Sequence, residues 1–85
     1  MINVKDATDK AKEYLLSFFP DAEQLQLEEV ELSADKAHWL ITLSYEGISG
    51  SVASSMLVGK SLQYKIFKLD AEDGRVISMK IRDIK

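Results

Sequence analysis

The chain has no cysteine, one proline, four glycines and a single histidine among its 85 residues. Without cysteine there is neither a disulfide framework nor a thiolate zinc site. His38 alone does not supply the two or more imidazoles of most catalytic metal sites, and no local serine–acid signature accompanies it, so a surface histidine is the plain reading. Basic charge is not in excess: 11 Lys and Arg stand against 14 Asp and Glu, for a net charge of −3. Nucleic-acid binding rests on neutralising phosphates with Lys and Arg, and this balance argues against it. The basic C-terminal residues Lys80, Arg82 and Lys85 alternate along an expected strand beside Asp83 and read as a solvated edge. No apolar run approaches the ~18 residues of a membrane span. The segment Met1-Ile2-Asn3-Val4-Lys5-Asp6 lacks the apolar core of a signal peptide, which makes the cytoplasm the expected compartment.

What is present is an ordinary globular composition, 46% hydrophobic and 29% charged. It suits one small folded domain over residues 1–85, not a disordered chain. At this size a domain buries roughly 60% of its unfolded surface, so the core must be thin.

Ala7, Ala11, Tyr14, Leu15 and Phe18 recur at helical spacing and form one apolar stripe, predicting a helix over 4–19. Asn3 is its expected N-cap, with Asp6 three residues on as in a capping box. Pro20 ends it. Beyond that point the period falls to two. In 25–32, Leu25 and Leu27 have one parity and Val30 and Leu32 the other, and a bulge at Glu28-Glu29 reunites them on one face. Ser33 to Lys36 read as a turn. Residues 38–45 alternate, with Trp39, Ile41, Leu43 and Tyr45 inward and His38, Leu40, Thr42 and Ser44 outward. Strands over 62–70 and 75–83 close the chain. A three-residue loop of Glu72, Asp73 and a left-handed Gly74 pairs Ala71 with Arg75, Leu69 with Ile77, Phe67 with Met79 and Lys65 with Ile81. The result is an α+β fold, one N-terminal helix on a three- to four-stranded antiparallel meander. Residues 46–61 hold three of the four glycines. They form either a mobile functional loop or a short extra element around 52–58.

The chemical motifs are incomplete. Gly59-Lys60-Ser61 ends like a phosphate-binding loop, but Ser54 stands where the first glycine is required and a strand follows instead of a helix. Gly47-Ile48-Ser49-Gly50-Ser51 falls one residue short of a nucleophile elbow. Glu28, Glu29 and Glu31, and Asp70, Glu72 and Asp73, lack the ligand layout of a calcium loop. The sequence therefore points to no catalytic residue, metal or cofactor, and to a non-enzymatic role.

Several segments together resemble the PepSY domain and its relatives. The capped helix ends at Phe19-Pro20-Asp21-Ala22, and Trp39-Leu40-Ile41-Thr42-Leu43 follows a turn. The closing hairpin then has Tyr64, Asp70, Ala71, Gly74 and Val76 in the family's order. The resemblance covers most of the chain outside 46–61. It implies a helix followed by an antiparallel sheet, in a non-enzymatic module of a kind suggested to bind or inhibit peptidases.

The first functional expectation is thus a protein-interaction or inhibitor-like module, with a protein partner or a homodimer. Leu40, Tyr64, Ile66 and Val76 are expected on the sheet face away from the helix, either as scattered exposed apolar residues or as a binding patch. Met56, Leu57 and Val58 flank that patch, unless Leu57 instead tucks into the core. The alternative expectation is a small-ligand pocket between helix and sheet, under the 46–61 loop.

Overall fold

The computed structural model describes residues 1–48 and 60–82. Met56, Leu57 and Val58, and the two readings of what lies around them, fall outside the described residues. The helix α1 spans Val4–Phe18, and four strands follow: β1 (Glu23–Leu32), β2 (His38–Ile48), β3 (Lys60–Asp70) and β4 (Val76–Ile81). They form one antiparallel sheet in the order β1-β2-β3-β4. The fold is the expected α+β arrangement. The expected 46–61 loop gives up both ends to strands, since β2 runs on to Ile48 and β3 begins at Lys60, where Ile48 pairs with Lys60.

Asn3 caps α1 through its side-chain oxygen, which accepts the Asp6 N–H at 2.8 Å. Ala7, Ala11 and Leu15 are fully buried against Ile41, Leu43, Tyr45, Phe67 and Leu69. The two alanines let the helix backbone settle close to the sheet, and Tyr14 meets Phe67 edge-on with centroids 6.3 Å apart. Ile2 ties the start of the helix to the sheet. Its N–H donates to the Ala71 carbonyl at 2.9 Å, and its carbonyl accepts from the Trp39 indole at 3.2 Å.

The β1 bulge lies where the parity of the leucines placed it. Leu27 pairs with Leu43 and Glu29 with Thr42, leaving Glu28 as the extra residue. Glu28 and Glu29 consequently both serve the outer face. The Ser44 hydroxyl donates to the Glu28 carboxylate at 2.6 Å, and Glu29 pairs with Arg82. Arg82 also donates to the Thr42 hydroxyl at 2.9 Å. It thereby straps the last strand to the first, over Thr42 and Ser44, which are only 2% exposed although they face away from the helix.

The closing hairpin corrects the expected register at one end. Phe67 pairs with Met79 and Lys65 with Ile81, as expected, but Leu69 pairs with Val76 and not with Ile77. The turn is closed by Asp70 and Arg75, the Asp70 N–H donating to the Arg75 carbonyl at 2.8 Å. Four residues, Ala71 to Gly74, thus connect the strands, and a bulge at Ile77 absorbs the difference. Gly74 is left-handed as expected, with φ of 77°. Val76 accordingly turns toward the helix and packs against the core, while Ile77 is exposed. Phe18 is a second correction. It holds its place in the helical stripe but overhangs the end of the packed core, 58% exposed.

Candidate functional site

The helix has 15 residues and β2 has 11, lengths of about 22 Å and about 37 Å. Because Ile2 fixes the start of the helix beside Trp39 and Ala71, the far end of the sheet's inner face extends past the helix. There the chain turns at Phe19-Pro20-Asp21-Ala22 into β1. Between that turn and the sheet lies a cleft of about 410 Å³, lined by Phe18, Phe19, Tyr45, Gln63, Lys65 and Ile81 together with Pro20, Asp21, Ala22 and Gly47.

Each wall has a local cause. Tyr45 ends the inward alternation of β2, and its ring stacks on Phe19 with centroids 6.0 Å apart. Gly47, two residues along the same face, makes room for that ring: a β-carbon there would stand 3.0 Å from Tyr45 Cε2. Lys65 and Ile81 are cross-strand partners on the inner face. Lys65 is a cation at the point where the inward positions of β3 pass from the buried apolar Phe67 and Leu69 to Gln63. Its ammonium lies over the Phe19 ring, 5.5 Å from the centroid, within cation–π reach. Burial pushes the Tyr45 phenol above its ordinary value, so the hydroxyl is a neutral hydrogen-bond donor at physiological pH.

Of the residues expected to form an interaction patch, Leu40, Tyr64 and Ile66 do share the outer face, opposite Lys68, Ser44 and Thr42. All three are half-buried. Val76 is on the other side of the sheet.

The structure also brings Ser33, Asp35 and His38 together at the β1–β2 turn. Their hydrogen bonds are those of a turn. The Ser33 hydroxyl gives its proton to Asp35 at 2.6 Å, and it is the backbone N–H of His38, not the ring, that reaches Ser33 Oγ, at 3.1 Å. A nucleophile needs its proton directed to a base, and here the acceptor is the carboxylate. Among the described residues no group of three or more His, Cys, Asp or Glu is placed to hold a metal ion, and no helix is long and apolar enough to cross a membrane.

Sequence reasoning placed Tyr45 on the inner face and offered a pocket between helix and sheet under the 46–61 loop, most of which lies outside the described residues, but did not name these lining residues. The signal that marks the cleft is the change along the inward positions of β3, from the buried apolar Phe67 and Leu69 to the polar Lys65 and Gln63. Comparison with protein families, with curated proteins and with solved structures finds no match to this chain.

Proposed function

We propose that the chain is a non-catalytic binding domain whose site is the cleft beyond the end of α1, and that it takes a small, largely apolar molecule there. The observation that supports this is the cleft's make-up: about 410 Å³, within the usual 300–1,000 Å³ of ligand sites, with aromatic walls and few polar groups. A thermal-shift screen against metabolites tests it. A ligand at 100 times its dissociation constant adds about 2.7 kcal/mol, a rise of roughly 10–20 °C for a domain of this size. A hit whose effect disappears in Ala22→Trp, which fills the cleft, supports the reading. Hits that persist in that variant, or none at all, overturn it.

Protein binding through the outer face is the second reading. It is supported by the partly open stripe of Leu40, Tyr64 and Ile66, and it is the reading that the PepSY resemblance favours, with a peptidase as partner. Tyr64→Lys with Ile66→Lys would then abolish association seen by light scattering while leaving the fold intact.

A further inference from the structure

The polar groups of the cleft bear on what kind of molecule enters it. Tyr45 is only 4% exposed, yet its hydroxyl makes no hydrogen bond among the described residues. Its ring stacks on Phe19, and loss of water is what raises its pKa. Buried hydroxyls in native structures are almost always paired, because an unpaired one forfeits its bond to water without replacement. Lys65 is similarly uncommitted. Its ammonium meets the face of Phe19, and among the described residues no acceptor takes its N–H donors. Tyr45 pairs with Gln63 across the strands, and Lys65 lies two residues further along the same face, so the two are diagonal neighbours. Both meet the same Phe19 ring.

We infer that the cleft is a site for a small monocarboxylate with an aromatic or branched apolar body, its carboxylate received by the Tyr45 hydroxyl and the Lys65 ammonium. A hydroxyl and an ammonium lining one cleft match a carboxylate better than an alcohol or an amide, because charge-assisted hydrogen bonds are shorter and stronger. Phe18, Phe19 and Ile81 supply the apolar wall for the body of the molecule. Asp21, on the rim, and the carbonyl end of α1 both oppose a negative charge. Recognition is therefore by close contact at the floor and not by long-range attraction. Removing the Asp21 charge strengthens it.

This inference rests on the cleft being a ligand site, and the experiment separates the two claims. The full chain is titrated by calorimetry and two-dimensional amide NMR with benzoate, 3-phenylpropanoate and 4-methylpentanoate, each beside its own amide. At least one acid binds about tenfold or more tightly than its amide, with shifts centred on residues 18–22, 45–47 and 63–65. Tyr45→Phe and Lys65→Met each weaken the acid by about tenfold and the amide by clearly less, and Asp21→Asn tightens the acid by about two- to threefold. Unliganded Tyr45→Phe is at least as stable as the native chain, since no protein bond to the hydroxyl is lost. A clear loss of stability in that variant would show that the hydroxyl had a protein partner, and would overturn the inference. Acids and amides binding equally well at these residues overturn the carboxylate class but keep the cleft as a site. No binding at these residues by any acid or amide overturns both.

Discussion

The Asp35 carboxylate is held below its ordinary value of 3.8, first by the Ser33 hydroxyl, then by the Ala37 N–H, with the charge of His38 helping. A group whose pKa is depressed on folding adds stability above its unfolded pKa, and that stability is lost as pH falls through the folded value. Asp35→Asn should therefore have a lower urea midpoint than the native chain near neutral pH. The gap should close as pH falls below 3.8 and through the lowered pKa of the folded state, where Asp35 is itself protonated. A gap independent of pH would show that the carboxylate charge is not what the turn uses. Gly74 is the other residue with a sharp local role. Its φ of 77° disfavours any side chain, and a β-carbon would meet Lys10 and Ile2. Lys10 is flexible and gives way, so Gly74→Ala should cost on the order of 1 kcal/mol, mostly backbone strain, read from the denaturation midpoint.

At the scale of elements, the sheet takes its stability from the strip where α1 rests on β2 and β3. Phe67 is the largest fully buried side chain among the described residues, between Tyr14 above and its cross-strand neighbours Ile41 and Met79. Phe67→Ala should cost roughly 3–5 kcal/mol by chemical denaturation. Phe18→Ala, in the same helical stripe but over the cleft, should cost much less. Element positions were readable from the sequence because they follow from periodicity. Asn3, the alternation of 38–45 and the parity switch around Glu28-Glu29 each depend on a few adjacent residues. The bulge at Ile77 was not readable. Val76 and Ile77 are both β-branched and apolar, so either satisfies the inner face, and only the four-residue turn from Ala71 to Gly74 decides between them. The fate of Phe18 was equally hidden. The helical stripe gives the angle of a residue around the axis, but not whether packed sheet lies beneath it. The cleft depends on a comparison of lengths, helix against strand, anchored by Ile2, and no local pattern encodes that.

At the scale of the whole molecule, Arg82 joins the two edges of the sheet. Its partner Glu29 is 59% exposed at the side chain, and exposed ion pairs contribute little. The bond to the buried Thr42 hydroxyl counts for more. Arg82→Met should lower stability by about 1 kcal/mol, while Glu29→Gln should change it by a few tenths at most. Equal losses in the two variants would show that the ion pair dominates.

The Ile2 latch also has a consequence for the order of folding. Its carbonyl bonds a side chain 37 positions away, and its N–H bonds the turn after β3. The hairpins β2–β3 and β3–β4, by contrast, unite neighbours in the chain. Closing so long a loop before the meander exists would cost entropy without compensating contacts, so the latch belongs after the rate-limiting barrier. Trp39→Phe, which removes the indole donor of the latch, should then leave the refolding rate almost unchanged and accelerate unfolding by nearly the whole of the stability lost, a φ-value near zero. The N-terminal residues would thus determine how long the native state lasts and have little influence on how quickly it is reached.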